Sequence, residues 1–112
     1  MVSTHLLINA KEAADFLAVM GSPARLLIMA HLLNGETSVN VLVKRTKISQ
    51  SSLSQHLSKL RSLGLVDTRR DSQWIYYSCN SNAVRELFST LEALYGEGSV
   101  TTRRRPVITA VS

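Results

Sequence analysis

The reading of this chain turns on Ser49 to Gly64: Ser-Gln-Ser-Ser-Leu-Ser-Gln-His-Leu-Ser-Lys-Leu-Arg-Ser-Leu-Gly. Leu53, Leu57, Leu60 and Leu63 recur at the three- and four-residue steps that line one face of an α-helix. Ser49 stands where an N-cap is needed, and Gly64 supplies the left-handed residue that ends such a helix. The outer surface is left to Gln50, Ser51, Ser54, Gln55, Ser58, Lys59, Arg61 and Ser62: hydroxyls, amides and cations, with no carboxylate. Serine is a mediocre helix former, and of the five between Ser49 and Ser58 all but the cap Ser49 cost stability without obvious structural return. That outer face therefore reads as a contact surface.

Working outward, Ser38 caps a short preceding helix whose Val39, Leu42 and Val43 face inward and which runs out near Thr46-Lys47. The two helices and the brief turn between Arg45 and Ser49 form a helix-turn-helix. Beyond Gly64, Leu65 and Val66 lead into a polar stretch, Asp67 to Gln73, and then Trp74-Ile75-Tyr76-Tyr77, rich in strand formers. Two antiparallel strands are expected, joined around Asp71-Ser72-Gln73. With no glycine there, a loop of three or more residues is expected. Upstream, Asn9 and Glu12 suggest a capping box for a first helix with Ala13, Phe16, Leu17 and Met20 on one face, ending at Gly21. Ser22-Pro23 starts a second helix with Leu26, Leu27, Ala30 and Leu33 as its buried stripe, stopped by Asn34-Gly35. A fifth helix starts near Ser81-Asn82 and carries a wide apolar face. The expected fold is mainly α with a small β-hairpin, a winged helix-turn-helix of four helices, hairpin and fifth helix. It fills residues 9–96, with an N-terminal arm at 1–8 and a disordered basic tail at 97–112.

Composition narrows the function. The 112 residues suit one domain, and 45% are hydrophobic, enough for one core. No run approaches the ~18 apolar residues of a membrane span, and no signal peptide is apparent, so a cytoplasmic chain with no membrane partner is expected. A single cysteine, Cys79, permits no intrachain disulfide and, with three scattered histidines, makes poor material for zinc. Neither metal nor cofactor is expected. Cys79 reads as a small buried residue and His31 as a packed histidine. The net charge is +5, but Lys44 to Arg70 holds seven basic residues against Asp67 alone, a segment charge of +6. Such a block attracts polyanions, nucleic acid first.

A helix fits the DNA major groove, and its first residues meet the base edges. Gln50, Ser51, Ser54 and Gln55 suit that role, since amides pair with adenine and hydroxyls with bases or phosphate. The helix start at Ser49 suits a phosphate. Lys59 and Arg61 lie where backbone phosphates flank the groove. His56 either contacts phosphate or packs at the helix edge. In the wing, Arg69 and Arg70 point to opposite faces, so one makes the main contact, with Gln73 near the tip. Double-stranded DNA is thus the expected partner. No Gly-rich phosphate loop, nucleophile elbow or His-Glu-x-x-His motif supports an enzyme. The rival is a winged helix used for protein or RNA contact. The basic block argues against the first. Trp74, Tyr76 and Tyr77, explained by strand packing, weaken the second. Arg103 to Arg105 in the tail either add phosphate attraction or only solubilise.

The run Ile48 to Val66, the wing from Arg69 to Ser78, Ala14-Asp15-Phe16-Leu17 and Ser22 to Ile28 together resemble the ArsR/SmtB family of bacterial repressors, over residues 10–96. The resemblance implies a homodimer held by the first and fifth helices. Phe16, Leu17, Val84, Leu87, Phe88, Leu91, Leu94 and Tyr95 would form that interface, and the apolar face from Val84 to Tyr95 exceeds what one core needs. It further implies repression of transcription at the nucleoid and an inverted-repeat operator with half-sites ~34–36 Å apart. Metal-sensing members carry a Cys-x-Cys pair in the third helix or His-bearing pairs in the last. Here Ser38 to Val43 contains no cysteine and Val84 to Glu92 no histidine. Relatives that sense sulfur species use a cysteine pair with one member on the second helix, where Ala30 stands.

Overall fold

Serine caps set the helix starts of this chain. In the computed structural model, which describes residues 2–97, the side-chain oxygens of Ser22, Ser38, Ser49 and Ser81 each accept the backbone N–H three residues on, at 3.3, 3.3, 3.2 and 3.2 Å. Each satisfies a donor the helix cannot and contributes about 1 kcal/mol. The chain divides into two units, one ending at Asn80 and one beginning at Ser81. The first holds α1 (Thr4–Ile8), α2 (Ala10–Met20), α3 (Pro23–Leu33), β1 (Thr37–Ser38), α4 (Val39–Thr46), α5 (Gln50–Ser62), β2 (Asp67–Asp71) and β3 (Trp74–Ser78). The second holds α6 (Asn82–Tyr95). The winged helix-turn-helix is therefore as expected. None of the described helices is by itself long and apolar enough to cross a membrane. The expected tail, with Arg103 to Arg105, lies outside the described residues save for Glu97.

The core of the first unit draws Ile28, Met29 and Leu32 from α3, Leu42 from α4 and Leu53, Leu57 and Leu60 from α5, closed by Met20, Val66 and Cys79. Four details depart from the sequence reading. The buried face of α3 is Ile28, Met29 and Leu32, while Leu27 is 42% exposed and Leu26, Ala30 and Leu33 are intermediate. Leu26 to Leu33 is apolar at all positions but His31, so periodicity alone does not choose a side. Leu63 is 47% exposed rather than inward. Gly64 (φ +73°) donates its N–H to the Arg61 carbonyl and Leu65 donates to Leu60, a Schellman closure that turns the chain off the helix before Leu63. Asn9 does not cap α2, because its side-chain amide donates to the His5 carbonyl at 2.9 Å and closes α1 instead. The stretch read as an arm thus contains a short helix.

The fourth departure is in the sheet. β1, unforeseen, pairs antiparallel with β3 (Thr37 with Tyr77, Ser38 with Tyr76), giving a three-stranded sheet in the order β1-β3-β2. β2 pairs with β3 from Asp67–Ser78 to Asp71–Trp74, so the hairpin turns on two residues, Ser72 and Gln73, rather than three or more. Ser72 takes φ +55°, the positive value such tight turns require and glycine adopts more cheaply. Since Ser38 both pairs with the wing and caps α4, the hairpin is hydrogen-bonded to the start of the helix-turn-helix.

Candidate nucleic-acid interface

The turn between α4 and α5 is fixed by one buried hydroxyl. Thr46 Oγ1 donates to the Leu42 carbonyl at 2.6 Å and accepts from the Ile48 N–H at 3.3 Å. Lys47 then takes a left-handed conformation (φ 60°, ψ 17°), and Ser49 extends to start α5. Ser49 Oγ satisfies the Ser52 N–H and lies 3.4 Å from Ser51 Oγ. The amides of Gln50 and Ser51 are left at the open, electropositive end of the helix, an anion-binding arrangement.

Burial of Leu53, Leu57 and Leu60 fixes the rotation of α5. Gln50, Ser51, Ser54, Gln55, Lys59 and Arg61 are consequently exposed, and His56 is half-buried at the edge of that face. Ser54, Gln55, Ser58, Lys59 and Ser62 line an open groove along the outer side. At the start of α5 the wing joins in. A notch of about 210 Å³ is lined by Gln50, Ser54 and Leu57 from α5, by Val39 and Asn40 from α4, and by Gln73, Trp74, Ile75 and Tyr77 from the hairpin. Three amides from separate elements converge there. Asn40 escapes a reading of the sequence because only its apolar neighbours announce the helix.

The two wing arginines diverge. Strand alternation puts Thr68 and Arg70 on the side of their register partners Tyr77 and Ile75, which line the notch beside α5. Arg69 lies on the other side. Its Nε donates to Glu36 Oε2 at 2.9 Å and its Nη2 to Glu36 Oε1 at 2.7 Å. Its guanidinium carbon sits 4.7 Å from the centroid of the Tyr76 ring. The hydrogen bond from Arg69 holds the Glu36 carboxyl below the ordinary glutamate range, and Glu36 raises Arg69 in return. Among the described residues no group of three or more His, Cys, Asp or Glu side chains could hold a metal ion.

Of the side chains expected at a dimer interface, Phe16 is half-buried and Leu17 57% exposed in the first unit. In the second, Leu87, Phe88, Leu91 and Leu94 are half-buried and Tyr95 is 44% exposed, whereas Val84 is already buried in the single chain.

Residues 22–68, from the cap of α3 into β2, match the family model described as bacterial regulatory protein, arsR family. The nodulation protein NolR of Rhizobium meliloti is 45% identical over 100 residues, covering 89% of this chain and 82% of that protein. This chain belongs to the arsR family of bacterial regulatory proteins. The crystal structure of NolR from Sinorhizobium fredii is similar at a TM-score of 0.76 and 46% identity, over 86% of this chain and 96% of that one. The transcriptional activator HlyU of Vibrio cholerae is 41% identical, over 78% of this chain and 81% of that protein. As an arsR-family protein the chain is a DNA-binding transcriptional regulator and not an enzyme.

Proposed function

We propose that the chain is a cytoplasmic homodimeric repressor that reads an inverted-repeat operator in double-stranded DNA, with α5 in the major groove and the wing on the backbone or minor groove. The observation that carries this is the exposed start of α5, where Gln50, Ser51, Ser54 and Gln55 face solvent and Gln50 and Ser54 share a notch with the wing's Gln73. Amides and hydroxyls read base edges, whereas Lys59 and Arg61, further along, meet phosphates. Ser49 holds the helix end toward a phosphate, and His56 borders the contact. Residues 9–96 form the binding and dimerising domain. Phe16 and Leu17 on α2 offer apolar surface to a second copy, and so, separately, do Leu87, Phe88, Leu91, Leu94 and Tyr95 on α6. Val84 drops out of that surface because it is already buried. Repression follows from occupancy. A dimer seated over a promoter blocks polymerase, and the relative HlyU, an activator, is consistent with operator position setting the sign.

Two substitutions test the assignment. Gln50→Ala should weaken operator binding by ~1–3 kcal/mol and relax base preference at one position of each half-site. Lys59→Ala should weaken operator and random DNA alike and lower the salt slope by ~0.9 per subunit, the value for one phosphate no longer neutralised. Equal effects of both variants on random DNA would contradict the division of roles.

A further inference from the structure

We propose that Glu36 is a positioning residue for DNA binding: it holds Arg69 as an internal brace of the wing, and so leaves Arg70 as the wing's DNA-contacting cation. The inference rests on the DNA-binding reading above and assigns the two arginines that strand alternation alone leaves equivalent.

The register shows what the brace spans. Arg69 on β2 lies opposite Tyr76 on β3, which lies opposite Ser38 on β1. Arg69 passes over the Tyr76 ring and reaches Glu36, just before β1, so one side chain ties the outer strand across the sheet to the residues that start α4. Within the sheet, β2 is anchored only by its pairing with β3. The carboxylate meets the guanidinium fork with both oxygens, the same planar recognition a phosphate would offer. A DNA phosphate must therefore displace Glu36 to engage that edge of Arg69. Both partners are solvent-exposed, and such a pair is worth little in overall stability. Its consequence is geometric and electrostatic: it sets the pose of the hairpin and removes one cation from non-specific attraction. Arg70 has no ion pair among the described residues and stands on the strand side whose partners, Ile75 and Tyr77, line the notch with Gln50 and Ser54.

The test uses the full chain and measures salt dependence of affinity on the selected operator and on random duplex. Arg70→Ala should reduce the slope by ~0.9 per subunit on both DNAs, and Arg69→Ala should leave it unchanged. Glu36→Gln should steepen the slope on random duplex by up to ~0.9 per subunit and narrow the ratio of operator to random affinity. Glu36→Asp, which keeps the charge, should return the slope toward wild type. A slope lowered as much by Arg69→Ala as by Arg70→Ala overturns the proposal, as does an unchanged slope in Glu36→Gln. A DNA-free arm separates this failure from failure of the functional reading. At about pH 5.5 the Arg69 Nε–H chemical shift should be displaced from that of the other arginines in wild type and return to it in Glu36→Gln. An undisplaced shift in wild type refutes the brace whatever the DNA results. A wild type that binds no duplex specifically, with the shift displaced, refutes the DNA role alone.

Discussion

Replacing Thr46 by valine removes one hydroxyl while keeping shape and volume nearly constant. That hydroxyl makes two bonds, one to the Leu42 carbonyl at 2.6 Å and one from the Ile48 N–H at 3.3 Å. The Leu42 carbonyl belongs to α4 and stays within the helix's own bonding, so its loss is small. The Ile48 N–H is part-buried and loses the acceptor that satisfies it, at a cost of about 1–3 kcal/mol. Together the variant should lose about 2 kcal/mol, which for a domain of this size lowers Tm by roughly 8–16 °C. Urea and thermal unfolding at one fixed protein concentration would measure it, since a dimer's stability depends on concentration. Thr46→Ser, which keeps the hydroxyl and removes a buried methyl, should cost about 1 kcal/mol. Well below Tm, Thr46→Val should also lose more affinity for operator than for random DNA, because the turn aims the start of α5 while Lys59 and Arg61 lie beyond it. A loss below about 0.5 kcal/mol, or a serine variant less stable than the valine variant, would refute the claim that this hydroxyl holds the turn.

Ser72→Gly should gain up to about 1 kcal/mol, because glycine adopts the φ of +55° without strain; a Tm that falls would contradict the two-residue turn. The Glu36 carboxyl is depressed below its ordinary value of 4.5 by the hydrogen bond from Arg69, so the ion pair is fully present above that value and is lost as pH falls through the lower folded one. The Arg69 Nε–H chemical shift should accordingly be constant from about pH 5 to 6.5 and move toward the value of a free arginine only in stronger acid, and a midpoint inside the neutral range would contradict the assignment. Leu91→Asp should convert the chain to monomers in sedimentation equilibrium with helix content retained; an unchanged dimer would place the second copy elsewhere.

Much of this was legible because the residues act locally. Ser22, Ser38, Ser49 and Ser81 cap in a manner fixed by their immediate neighbours, and Gly64 closes α5 through bonds within five residues. The leucine spacing of α5 identified its buried face, and hence its polar one, at every position except Leu63. What stayed hidden depends on distant partners or on uniform composition. α3 is apolar almost all round, so its inward face is chosen by what packs on it. β1 is two residues long and exists only through Tyr76 and Tyr77. Asn9 sits between two helices and serves the earlier one. The fate of Arg69 is set by Glu36, 33 residues away, and no local pattern distinguishes it from Arg70. Asn40 joins the notch only because the hairpin tip folds back beside α4 and α5.

The most direct test of the central claim is selection of preferred duplexes from a random pool by the purified protein at physiological salt, followed by comparison of affinity with scrambled DNA. A dimer reading with two copies of α5 should enrich an inverted repeat whose half-sites lie one helical turn apart, bound ~10³-fold or more tighter than scrambled sequence. Weak, salt-labile binding with no enriched motif would contradict it.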